Sequence, residues 1–154
     1  MTPELEALPD DSLLPRDSKR SLPMSLLRAR EAVMARFRPI LAARDISEQQ
    51  WRVMRVLAEA GPLDATEVAE RACLLAPSLT RIMRTLEERR LITRTRDAGD
   101  ARRIRLMISA AGIAMIGEVV PAGRDIFKDI EMRFGRERLD HLLDMLGDLA
   151  ILKP

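Results

Sequence analysis

A mainly α fold, helices around one two-stranded hairpin, is what this sequence predicts. Three observations lead there. The chain of 154 residues is 47% apolar but only 3% aromatic, with no Tyr, and Leu, Ala, Met, Arg and Glu dominate. That balance favours helices over an aromatic-rich β-sandwich. Apolar residues recur at three- and four-residue spacing along most of the chain. The pattern breaks between Leu91 and Ile108, where two β-branched or apolar runs flank a Gly-containing tip.

Taken in order, residues 1–21 carry Pro3, Pro9, Pro15, several acids and scattered Leu, and are expected to be a flexible arm. Residues 22–154 are expected to form a single domain. Pro23 opens a helix to about Ala43, with Leu26, Leu27, Val33, Met34, Phe37 and Leu41 in one stripe. Pro39 lies inside it, which predicts a kink near Arg38. Ser47 with Gln50 reads as a capping box for a second helix. Its apolar face is Trp51, Met54, Leu57 and Ala58, and Gly61-Pro62 stops it.

Asp64-Ala65-Thr66-Glu67 starts a short third helix, whose inward positions are Val68, Ala69 and Ala72. Cys73-Leu74-Leu75 is a turn, with Cys73 read as a small apolar core residue rather than a redox thiol. A fourth helix follows, with Ala76 as a poor N-cap and Pro77 at the first helical position. Leu79, Ile82, Met83 and Leu86 face inward, so Ser78, Thr80, Arg81, Arg84 and Thr85 face outward. Leu91–Arg94 and Ile104–Ile108 form the hairpin. Ser109 caps a long helix with a seam of Ile113, Ile116, Val120, Gly123, Phe127, Ile130 and Phe134, interrupted by Pro121. A last helix, about Arg136 to Leu152, shows Leu139, Leu142, Leu143, Leu146 and Leu149.

Net charge is only +2, but it is unevenly spread: from Ala76 to Arg105 nine Arg face four acids, so this segment is +5 and the remainder −3. A local basic patch on a near-neutral chain suits a polyanion. The fourth helix offers short polar and guanidinium groups, as base edges and phosphates require, and the hairpin carries Arg at both shoulders. Double-stranded DNA is therefore the expected partner. The candidate contacts are Thr66, Ser78, Thr80, Arg81, Arg84, Arg94, Arg96, Arg102 and Arg103. Asp100 is expected to orient Arg102 through an ion pair.

Arg30 sits inside the apolar stripe of the first helix, where a charge is costly unless paired. One reading makes it the cation for an aromatic carboxylate, with Met34, Phe37 and Trp51 as apolar wall and Arg55 assisting. The other makes it a structural ion pair, with Glu31 for example, or a side chain that snorkels to solvent. His141 is read as a packing or surface residue, and no metal site or cofactor is expected.

Other classes find little support. There is no Gly-rich phosphate loop, no nucleophile beside a His and no buried carboxylate cluster, so no enzyme is expected. No apolar run reaches membrane-spanning length. A single Cys fits a reducing compartment, and with no signal-peptide pattern the expected location is the cytoplasm.

From Pro23 onward the chain resembles the MarR family of winged-helix transcriptional regulators. The resemblance rests on Asp100-Ala101-Arg102-Arg103 in the wing and on Ser109-Ala110-Ala111-Gly112 opening the long helix. Leu27-Arg28-Ala29-Arg30-Glu31-Ala32, Phe37-Arg38-Pro39-Ile40, Glu48-Gln49-Gln50-Trp51-Arg52 and Arg71-Ala72-Cys73 resemble the branch that represses homoprotocatechuate (4-hydroxyphenylacetate) degradation. The resemblance implies a homodimer with helices 22–46 and 109–154 intertwined and lobes 47–108 carrying the winged helix–turn–helix. It also implies a repressor on a pseudo-palindromic operator, released by a small aromatic carboxylic acid. An effector-independent architectural or activator-type DNA binder is the alternative.

Overall fold

The computed structural model describes residues 17–154. The order is α1 (Leu22–Ala42), α2 (Glu48–Ala60), α3 (Ala65–Arg71), α4 (Ala76–Glu88), β1 (Ile92–Arg96), β2 (Ile104–Ile108), α5 (Ala110–Phe134) and α6 (Arg136–Ala150). The mainly α expectation holds. The chain divides into two compact units, one ending at Phe37 and one running Arg38–Pro154.

Residues 1–16 of the expected arm lie outside the described residues. Residues 18–20 form a turn tied to the start of α1: the Arg28 guanidinium donates to the Ser18 hydroxyl at 2.7 Å and to its carbonyl at 3.1 Å. Helix α1 continues through Pro39.

The core of the second unit draws on every element from α2 to α5. Val53, Met54, Leu57, Val68, Leu79, Leu86, Ile92, Leu106 and Val119 are essentially sealed from solvent. On α2 the inward face is Val53, Met54 and Leu57; Trp51 is half-buried and Ala58 is exposed, against expectation. The α5 seam is also shifted. Its buried line is Gly112, Ile116, Val119 and Gly123, while Ile113 and Phe127 stand exposed.

The capping signals are realised. The Ser47 and Asp64 side chains accept from the backbone N–H of Gln50 and Glu67, whose side chains in turn accept from the two cap N–H groups. Ser109 caps α5 by accepting from Gly112 N–H at 3.0 Å. Less visible in the sequence are the ends of α1, α3 and α4. Asp45, Cys73 and Arg90 take left-handed φ values of 54°, 53° and 58°. The following residues then reach back five positions: Ile46 N–H to Leu41 O, Leu74 N–H to Ala69 O, and Leu91 N–H to Leu86 O, at 2.9–3.0 Å. These are Schellman ends without glycine. In each the residue after the left-handed one is apolar and packs into the core, as Ile46, Leu74 and Leu91 do, so burial offsets a backbone cost of ~1–2 kcal/mol.

The hairpin is antiparallel, pairing Ile92 with Ile108, Arg94 with Leu106 and Arg96 with Ile104. Leu63 adds a short third rung through reciprocal hydrogen bonds with Leu106, at 3.1 and 2.7 Å. That rung anchors the wing to the segment between α2 and α3.

Candidate nucleic-acid interface

Helices α3 and α4 and the turn between them form the helix–turn–helix. Cys73 is exposed at the left-handed position of that turn, not in the core as expected. A small side chain is tolerated there, and packing falls to Leu74. Arg52 of α2, missed by the sequence reading, supports the turn by donating to Cys73 O at 3.4 Å.

Helix α4 begins one residue earlier than expected. Leu75, not Ala76, is the N-cap; it makes no side-chain capping bond, and Pro77 falls at the second helical position. Leu79, Ile82, Met83 and Leu86 are buried as expected. That fixes the outward face: Thr80, Arg81 and Arg84 are exposed, and Ser78 and Thr85 half-exposed. Thr80 and Thr85 hydroxyls donate to the carbonyls of Ala76 and Arg81, each at 3.2 Å. Arg81 and Arg84 make no ion pair among the described residues.

The far end of α4 is clamped by Arg89. Its guanidinium donates to the carbonyls of Arg44, at 3.0 Å, and of Asp45. Arg44 in turn donates to Ile40 O and to Glu118 O, at 3.1 and 3.0 Å. The α1–α2 corner thus joins the end of α4 to the middle of α5.

In the wing, Asp97 N–H donates to Arg103 O at 2.8 Å, closing the tip. Asp100 does not pair with the Arg102 guanidinium as expected. Its carboxylate accepts from the Arg102 backbone N–H at 3.0 Å, and its carbonyl from the Arg103 N–H at 2.9 Å. It is a turn-forming residue: a short side chain reaching two residues on reproduces an Asx turn, which leaves the Arg102 side chain unpaired among the described residues.

Two of the predicted contacts are engaged within the protein. Arg94 lies on Glu87 through bonds of 3.0 and 2.6 Å, and Arg103 lies 3.3 Å from Asp64. Arg105 similarly sits 3.5 Å from Asp97. The Asp64 carboxyl is held below its ordinary pKa first by the Glu67 backbone N–H, with Arg103 assisting. The Asp97 carboxyl is lowered first by the Gly99 backbone N–H, with Arg105 assisting. Arg96 and Arg102 make no ion pair among the described residues. Thr66 is exposed in the first turn of α3.

The effector candidates divide between the two units. On α1, Arg30 is exposed, and Met34 and Phe37 are half-buried. On α2, the Arg55 guanidinium stands 5.9 Å from the centroid of the Trp51 ring, a cation–π distance.

The MarR family pattern matches residues 46–104, the span from the start of α2 to the wing. The "HTH-type transcriptional regulator FarR" of Neisseria gonorrhoeae is 41% identical over 138 residues, covering 89% of this chain and 94% of that one.

The chain belongs to the MarR family.

It is a DNA-binding transcriptional regulator, not an enzyme, as its relatives are. The "Homoprotocatechuate degradative operon repressor" of Escherichia coli is 36% identical over 132 residues, covering 86% of this chain and 89% of that one. Among solved structures, NadR in complex with 4-hydroxyphenylacetate superimposes with a TM-score of 0.82 at 38% identity, covering 95% of this chain and all of NadR. No helix among the described residues is long and apolar enough to cross a membrane.

Proposed function

We propose that this MarR-family regulator is a homodimeric, cytoplasmic repressor that grips a two-fold-symmetric operator and releases it when a small aromatic carboxylic acid binds. The observation that carries the DNA contacts is the set of exposed cations that make no ion pair among the described residues: Arg81 and Arg84 on α4, and Arg96 and Arg102 in the wing. Arg81 and Arg84, with Ser78 and Thr80, are assigned to the major groove; Arg96 and Arg102 to phosphates or an adjacent minor groove. Thr66 is assigned to the flanking backbone, and Arg94 and Arg103, bound to Glu87 and Asp64, to holding the wing beside it. Exposed Phe127 and Met132 on α5, with Leu143 and Met145 on α6, supply apolar surface for a second copy.

The effector reading is supported by two relatives, one named for homoprotocatechuate degradation and one crystallised with 4-hydroxyphenylacetate. Arg30 is assigned to the effector carboxylate, with Met34 and Phe37 of the same helix as apolar contacts. The test is fluorescence anisotropy on a duplex selected from a random library, titrated with 4-hydroxyphenylacetate and homoprotocatechuate. Wild type is expected to leave the DNA, and a folded, dimeric Arg30→Ala variant to stay bound at the same acid concentration. Release of that variant at the wild-type concentration overturns the Arg30 assignment. No release of wild type by any aromatic acid favours an effector-independent binder, and monomers alone in sedimentation overturn the dimer.

A further inference from the structure

The tip of α4 combines three features that do not serve folding. Leu75 occupies an N-cap position, where Ser, Thr, Asp or Asn would satisfy a free backbone N–H, yet it makes no capping bond. Its neighbour Leu74 packs against the core, while Leu75 itself is 77% exposed. Ala76 and Pro77 are exposed as well, giving three consecutive solvent-facing apolar residues. One exposed Leu is unremarkable; such a run at a helix tip forfeits a cap, and runs of this kind are faults unless they serve function. One turn on, the Thr80 hydroxyl donates to Ala76 O, committing its proton to the helix rather than to a base.

The exposed tip of α4 from Leu75 to Pro77 is therefore apolar, with Ser78 beside it and Arg81 and Arg84 behind it. The major groove presents one apolar group, the C5-methyl of thymine. We infer that Leu75, beside Ala76 and Pro77, is a specificity-determining residue that reads a thymine methyl in each half-site. The inference rests on α4 being the helix that enters the groove, where N-terminal residues of a recognition helix meet base edges. Arg81 and Arg84 place this tip against a polyanion, and no polar group of Leu75 gives the discrimination another source.

The test uses the full-length protein and a duplex selected from a random library, with each thymine replaced in turn by deoxyuridine, which lacks only the methyl. Burial of one methyl corresponds to about a fourfold change in affinity. For wild type, one thymine per half-site is expected to show about that loss on replacement. Leu75→Ala is expected to bind the thymine and uracil duplexes equally, near the wild-type uracil value. The inference is overturned if wild type is insensitive at every thymine, or if Leu75→Ala keeps the wild-type sensitivity at the same position. Arg81→Ala separates this from failure of the α4 assignment. If it retains wild-type base preference, α4 is not the reading helix; if it relaxes preference while Leu75→Ala keeps the thymine response, only the Leu75 role fails.

Discussion

Replacing Gly112 with Ala should destabilise the protein, although Ala is the better helix former. Gly112 is buried in the first turn of α5. A Cβ there would lie 2.3 Å from Leu91 O and 2.5 Å from Ile108 Cδ1. The Ile108 terminus can turn aside, but the Leu91 carbonyl cannot, because it already accepts from Ser109 N–H at 3.0 Å. The clash must therefore push α5 off the base of the wing. Overpacking of this kind costs about 3 kcal/mol at the upper end, and the better helix propensity of Ala returns at most about 1 kcal/mol. The net loss of about 2 kcal/mol should lower Tm by roughly 4–8 °C in a chain of this size. Gly117, five residues on, has nothing within 4 Å of its added Cβ; Gly117→Ala should gain up to about 1 kcal/mol and melt roughly 2–4 °C higher. Both are measured by thermal denaturation at one fixed protomer concentration, since association shifts Tm. A Gly112→Ala protein that melts at or above wild type refutes the close-approach argument.

Three further outcomes follow from the site. Arg102→Ala should weaken binding to all duplexes and reduce the salt slope by about one per subunit, close to two per dimer, whereas Arg81→Ala should relax base preference by ~1–3 kcal/mol at one position per half-site; anisotropy titrations across salt and sequence separate the two. Asp97 ionises below its ordinary 3.8 in the folded state, so its stabilisation is present above that value and disappears as pH falls through the folded pKa. Asp97→Ala should therefore flatten the stability curve on the acid side, and an unchanged acid limb in urea titrations counts against it. Cys73→Gly should raise stability by ~0.5–1 kcal/mol by relieving a left-handed non-glycine residue and leave DNA affinity unchanged; weakened binding would give the thiol a functional role.

Much of the architecture was legible because local and tertiary demands agree. Ser47 with Gln50, Asp64 with Glu67 and Ser109 each announce a helix start, and all three caps form. The four inward residues of α4 were legible because 3.6-residue periodicity leaves one choice of face. Less was legible where the deciding contact is distant in sequence. Nothing local says that Leu63 pairs with Leu106, or that Arg89 reaches the carbonyls of Arg44 and Asp45. The helix ends at Asp45, Cys73 and Arg90 lack the usual glycine, and their signal was the apolar residue just after each. Asp100 was misread because sequence proximity to Arg102 suggested a side-chain pair. A carboxylate two residues from a backbone N–H makes the tighter local bond, and that is the bond formed.

The basic segment is best understood by dividing its nine Arg according to what each already holds. Arg89 holds backbone carbonyls, and Arg94, Arg103 and Arg105 hold Glu87, Asp64 and Asp97. Such part-exposed pairs add little stability, but they fix the directions of long side chains around the wing. Arg81, Arg84, Arg90, Arg96 and Arg102 make no ion pair among the described residues and remain for DNA. Five per protomer means ten in a dimer, and a salt slope no steeper than about nine. Glu87→Ala tests the division directly. It removes the carboxylate that binds Arg94 twice, at 3.0 and 2.6 Å, and frees one cation per subunit. Affinity for unrelated duplexes should rise and the slope should steepen by up to about two per dimer. If the wild-type slope already exceeds about nine and Glu87→Ala leaves it unchanged, the wing pairs open on DNA, and the internal carboxylates are placeholders for phosphate rather than struts.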